Sequence, residues 1–205
     1  MPNEISRPEP PALPLATEDY SRAYTDQKNN ILRLFFNRLT SVLGNLLSTS
    51  EGGRLFYFPC GLFYSTQNQT AAAVNTGYAI TFNNTYIGEG ISVESNSRIT
   101  VENDGVYNFQ LTMQTDHTTG SDAALYAWIN KSGTDVGYSG LIHNVKGNDY
   151  HVAHWNFSID LEAGDYIEMY WATDDTGLTL ATVAATAPHP GVSSAVLSVS
   201  FSSNY

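Results

Sequence analysis

The sequence predicts a mainly β protein: a jelly-roll β-sandwich head preceded by an extended N-terminal arm and one amphipathic α-helix. Three observations predict it. Apolar and polar residues alternate with period two again and again from residue 55 onward; Asn-Asp-Gly and Gly-Asp clusters punctuate that alternation; and a single run of apolar residues at 3-4 spacing stands ahead of it. About ten short strands with no helix between them favour a sandwich, and a jelly roll in particular. No internal repeat at the periods of propellers or solenoids is present.

Residues 1–25 come first. Pro2, Pro8, Pro10, Pro11 and Pro14 fix φ and remove backbone donors, so the segment is extended. Composition alone allows a disordered tail. Leu13, Leu15, Tyr20 and Tyr24 supply apolar contacts that a solvated tail does not need, and suit an anchor that orders on another protein.

Residues 26–53 follow as helix and linker. Leu32, Phe35, Leu39, Val42 and Leu46 fall on one helical stripe, widened by Phe36, Leu43 and Leu47. Gly52 and Gly53 stop it. Such a helix is unstable alone in water. It either packs onto the β domain or meets copies of itself; the glycine break favours copies, and phenylalanine at a core position suits more than two strands.

Residues 54–205 form the head. "VYNFQLTMQT" sets Tyr107, Phe109, Leu111 and Met113 on one face; "HWNFSIDL" does so with Trp155, Phe157, Ile159 and Leu161; "SAVLSVSF" with Ala195, Leu197, Val199 and Phe201. Further strands are expected near 55–65, 78–82, 91–94, 97–101, 124–131, 165–172 and 178–183. On a second face, "ALYAWINK" leaves Tyr126 and Trp128, and "DYIEMYWA" leaves Tyr166 and Tyr170. These aromatics suit a subunit interface, or a carbohydrate platform. The loops 116–122, 137–149 and 186–191 are where contact with a receptor belongs.

Charge narrows the function. Residues 1–54 hold six basic and six acidic side chains, whereas 55–205 hold three basic and fourteen acidic, which accounts for the net −11. An acidic body repels nucleic-acid phosphates, so no nucleic acid is expected as a partner. Cys60 stands alone, which excludes an internal disulfide or a cysteine-rich zinc site. The N-terminus has no signal-peptide pattern, and 31–47 is short and carries Arg33 and Arg38, so neither secretion nor membrane insertion is expected. The Asn-x-Ser/Thr sites at Asn68, Asn83, Asn130 and Asn156 then follow from composition.

Catalysis needs convergent titratable groups, and none stand out. His151 and His154 lie three apart on a predicted strand and point to opposite faces. No Gly-x-Ser-x-Gly elbow is present, and Gly88-Glu89-Gly90 lacks the lysine and helix of a phosphate loop. Asp174-Asp175 and Glu162/Asp165 have the hard oxygens calcium takes, without an EF-hand spacing, and read as capped, solvated turns. No pair of carboxylates is singled out for sugar cleavage. No cofactor and no enzyme activity are expected.

Three blocks carry a resemblance: "GLFYSTQNQTAAAVNTGYAITFN", "GISVESNSRITVENDGVYNFQLTMQ" and "WNFSIDLEAGDYIEMYW". Together they resemble a jelly-roll head of bacteriophage virion proteins, similar to the tumour-necrosis-factor and complement globular-head superfamily. Gly105, Tyr107 and Phe109, with Gly164-Asp165, match its recurring strand motifs over roughly residues 58–203. "YSRAYTDQKNNILRLFFNRL" also looks like leaders of short proteins encoded near phage structural genes. The resemblance implies a homotrimer with a three-helix stalk of Leu32, Phe35, Leu39, Val42 and Leu46. It implies a virion structural protein, made in the host cytoplasm and held to other virion proteins by its N-terminal arm. A short fibre or spike for attachment to a host-surface glycan or protein is the first expectation; a trimeric capsid decoration or cement protein is the alternative.

Overall fold

Ser21 starts the helix of the N-terminal unit. Its hydroxyl oxygen accepts the Tyr24 N–H at 3.3 Å and its carbonyl accepts the Thr25 N–H at 3.0 Å, which satisfies donors that a first turn leaves free. The helix, α1, spans Arg22–Leu47. It begins four residues before the expected start at 26, because Ser21 is an N-cap that an apolar stripe cannot reveal. Tyr24 therefore lies on the first helical turns rather than in an extended arm. At about 1.5 Å per residue the helix runs some 39 Å.

The computed structural model describes residues 11–13, 15, 19–47 and 58–203, and of residues 45–47 the backbone only. The Gly52-Gly53 linker, most of the proline-rich segment and the Leu46 side chain lie outside the described residues. The chain divides into two units, Met1–Tyr57 and Phe58–Tyr205, a boundary a few residues beyond the expected one at 53.

The second unit is built of strands. In chain order they are β1 (Cys60–Ser65), β2 (Gln69–Thr70), β3 (Tyr78–Ala79), β4 (Asn84–Glu89), β5 (Ile91–Glu94), β6 (Arg98–Val101) and β7 (Gly105–His117). Then come β8 (Ala123–Lys131), β9 (Thr134–Asp135), β10 (Leu141–Val145), β11 (Asp149–Leu161), β12 (Tyr166–Thr173), β13 (Leu178–Leu180) and β14 (Ala195–Ser203). One sheet runs β4-β1-β14-β7-β11, with β13 and β2 continuing beside the end of β7. The other runs β5-β6-β12-β8-β10, with β3 on β12 and β9 on β8. Every pairing is antiparallel, and the chain crosses between the sheets repeatedly, as a jelly roll does.

The core lies between the sheets. Tyr107, Phe109, Leu111 and Met113 of β7 meet Ala195, Leu197, Val199 and Phe201 of β14, all buried as the alternation requires. Leu125, Ala127 and Ile129 of β8 and Ile167, Met169 and Trp171 of β12 close it from the other side. Phe109 and Phe157 stack at 5.1 Å. The Tyr107 hydroxyl donates to the Asn103 carbonyl at 2.8 Å, which lets a phenol sit at zero exposure.

Four strands escape the sequence pattern: the two-residue β2 and β9, and the longer β4 and β10. Every residue of β4 after Asn84 is exposed, so no alternation marks it. β10 lies inside the segment 137–149 read as a loop; it is short, and Ile142 is exposed while His143 faces inward. In the other direction, the runs near 78–82 and 178–183 shorten to β3 and β13.

Candidate functional site

On the helix, Leu32, Phe35, Leu39 and Val42 occupy one stripe and are half-buried. Leu34, Phe36 and Leu43 are exposed at 53%, 57% and 46%. Phe35 and Phe36 touch edge-on at 5.6 Å. Polar contacts lie off the stripe, with Arg22 3.8 Å from Asp26 and the Arg33 guanidinium donating to Asn30 at 2.9 Å. The ammonium of Lys28 stands 6.0 Å from the Tyr24 ring. Of the other anchor residues, Leu13, Leu15 and Tyr20 are exposed.

The outer face of the β5-β6-β12-β8-β10 sheet holds the four aromatics singled out by sequence. Tyr126, Trp128, Tyr166 and Tyr170 are half-buried on the face opposite the core. The structure joins Trp128 and Tyr170, which stack at 5.7 Å and are register partners. Gly77 lies against this pair: a Cβ there would stand 2.8 Å from the Trp128 ring. The Trp128 indole donates to Asp135 at 3.0 Å, and burial pushes the Tyr170 phenol up, helped by the nearby charges of Glu168 and Asp135. Tyr166 instead lies beneath Arg98, whose guanidinium is 4.7 Å from the ring centre. Beside them Glu168 is buried, accepting the Ser97 hydroxyl at 2.6 Å with Arg98 at 3.9 Å. Part of the aromatic surface is thus used within the subunit.

The outer face of the opposite sheet is polar along its middle, with Tyr150 and Val152 exposed near the start of β11. Asn108 donates to Asn156 at 2.7 Å and to Ser158 at 3.1 Å, and Thr112 meets the His154 Nδ1 at 3.1 Å. His151 faces inward against His143, ring centres 5.8 Å apart, so His151 and His154 do occupy opposite faces.

Sequence reasoning missed His117. It is fully buried at the end of β7, with Nε2 2.7 Å from the Thr119 hydroxyl and 3.2 Å from the Asp175 carboxylate. Thr119 itself donates to Asp175 at 2.7 Å. Both partners therefore meet the same ring nitrogen, and the buried Nδ1 has none. A nucleophile relay needs the orienting group on the second nitrogen, so this cluster does not activate Thr119. No spacing in the sequence announces it, because Thr119 and Asp175 come from loops that only the sandwich brings together.

The acidic turns are engaged locally. The Gly177 backbone N–H at 2.8 Å and the Thr119 hydroxyl hold the Asp175 carboxyl below the usual carboxylate range. Burial raises Asp165, but the Glu162 N–H and the Lys131 ammonium, 3.0 Å away, outweigh it and leave its pKa lowered. Asp174 accepts the Ala124 N–H at 2.7 Å. Among the described residues no group of three His, Cys, Asp or Glu stands ready to hold a metal ion. A shallow cleft of about 420 Å³ lies beside Tyr64, Thr66, Thr182, Val183 and Val192, and its lining contains no carboxylate, imidazole or thiol. Among the described residues no helix is long and apolar enough to cross a membrane.

No protein-family model matches the sequence, and no curated protein matches it. Among solved structures, murine APRIL crystallised at pH 5.0 is similar with a TM-score of 0.49 and 12% identity, over 71% of this chain and 99% of that one. The globular domain of zebrafish complement 1qA is similar with a TM-score of 0.47 and 14% identity, over 72% of this chain and 99% of that one.

Proposed function

We propose that the chain is a homotrimeric virion structural protein, a short fibre or spike that projects its jelly-roll head for attachment to a host surface. One observation supports the trimer: a 26-residue helix bears an apolar stripe whose flanking Phe36 and Leu43 are exposed, while the core of the sandwich is filled by residues of its own unit. Three parallel helices would bury Leu32, Phe35, Leu39, Val42 and Leu46 around one axis, each side chain worth roughly 1.5–3 kcal/mol before ordering costs. The virion assignment rests on the resemblance of the three head blocks and of the N-terminal leader to phage proteins. Leu13, Leu15 and Tyr20, all exposed, are the anchor to other virion proteins.

Counting copies per particle tests the reading. A fibre occurs in few copies, and its removal abolishes adsorption. Hundreds of copies, with a shell that loses heat resistance on their removal, would replace the fibre by a capsid cement protein. A particle without the chain would end both.

A further inference from the structure

We infer that Tyr138 is a stacking platform for a neutral saccharide, presented by the loop between β9 and β10. This deepens the attachment reading above and rests on it.

Six non-glycine residues among those described have positive φ. Five are Asn or Ser (Asn75, Ser95, Asn96, Ser132 and Asn148), small polar types that tolerate the left-handed region. The sixth is Tyr138, at φ 60°. A bulky ring is disfavoured there, and glycine, which adopts the region freely, stands next to it at Gly137 and again at Gly140. The chain holds an aromatic in the strained place with permissive residues on either side.

That ring earns nothing inside the head. Tyr138 is completely exposed, at 110% of its reference area, and its phenol makes no hydrogen bond. Yet the loop that carries it is pinned. The Val136 N–H donates to the Ile129 carbonyl at 2.9 Å; the Ser139 hydroxyl donates to the Val136 carbonyl at 2.8 Å and accepts the Ile129 N–H at 3.0 Å. The Ser139 N–H closes a turn on the Val136 carbonyl at 3.3 Å, which sets Tyr138 in the left-handed region and presents its ring outward on a rigid support.

The chemistry of the surroundings selects the ligand. A protein interface of standard size buries roughly 800 Å² on each side, with an apolar centre and a polar rim. Ile142 is the large apolar side chain exposed on the neighbouring strand, opposite half-buried Tyr126, and exposed Thr134, Asp135 and Asn144 add polar groups. One open ring face with hydrogen-bonding neighbours fits the C–H face of a pyranose, with carboxylate and amide groups to take its hydroxyls. The head's three basic against fourteen acidic side chains disfavour anionic glycans.

The full chain, its Tyr138→Asn variant and its Tyr138→Trp variant are applied to an array of neutral and anionic bacterial polysaccharides, and their thermal melting is recorded. Asn keeps the left-handed backbone and removes the ring; Trp keeps a stacking face. The expected result is binding of a neutral polysaccharide by the unaltered chain, at least tenfold weaker with Tyr138→Asn and retained with Tyr138→Trp. The Asn variant should melt no lower than the parent. Neutral-glycan binding unchanged in Tyr138→Asn overturns the role of Tyr138 while leaving attachment standing. Binding confined to anionic polysaccharides overturns the ligand class. Binding to no polysaccharide, with adsorption of the intact chain to cells that is lost in Tyr138→Asn, assigns the ring to a protein receptor and overturns the saccharide. Absence of both kinds of binding overturns the attachment reading as well.

Discussion

Gly105 opens β7 at φ 149°, where a Cβ would lie 2.4 Å from the Phe201 ring and 2.8 Å from the Ser203 carbonyl oxygen. Gly105→Ala should therefore cost about 2–3 kcal/mol through overpacking and backbone strain, read as a lower urea midpoint at unchanged slope. Charge at single residues sets the acid limit. The Asp165 and Asp175 carboxyls are held below the ordinary aspartate pKa of 3.8, so they bind protons less readily folded than unfolded. Their contribution is complete above about pH 4 and is lost as pH falls through the lowered values. The head's melting temperature should hold level from about pH 7 to 5 and drop below about pH 4, and Asp175→Asn should flatten that drop. An equally steep drop in the variant would remove Asp175 from the account. Tyr138 belongs to this scale too: its strain is visible only in its φ, since Gly-Tyr-Ser-Gly reads as an ordinary loop.

Among the elements, the helix and the central strands are the most legible, for the same reason. Their apolar residues recur at the element's own period, 3-4 in α1 and two in β7, β8 and β14, and each strand buries one side. β4 is hidden because exposure on the outer edge erases its alternation, and β10 because apolar Ile142 points outward while polar His143 faces inward. The start of α1 was hidden because a cap is a hydrogen bond, not a hydrophobic repeat. The proposed trimer makes a direct prediction here. Phe35→Asp sets a carboxylate at the helix–helix axis and should convert trimers to monomers in light scattering; a variant that stays trimeric with unchanged melting would sink the stalk. Within the head, Phe109→Ala should cost about 3–5 kcal/mol, since Phe109 is fully buried and stacked on Phe157, and should leave the oligomeric state alone.

For the whole molecule, the two units predict separable roles. Deleting residues 1–20 should leave the purified trimer intact, because Ser21 still caps α1 and the head is untouched, yet abolish incorporation into particles. Normal incorporation of that truncation, measured by the chain's presence in purified virions, would refute the anchor.

The class of fold, the identity of the core faces and the acidity of the head can be read from the amino-acid order alone, because periodicity and composition are local or additive properties. That order also placed Tyr126, Trp128, Tyr166 and Tyr170 on the face away from the core. Which of these meet is set by the folded packing: Trp128 with Tyr170 against Gly77, and Tyr166 beneath Arg98. Folding alone assembled His117, Thr119 and Asp175 from distant parts of the chain, and it alone set Tyr138 in a left-handed turn. Strand register and loop closure bring residues together across dozens of positions, and no local pattern in a single sequence records that pairing.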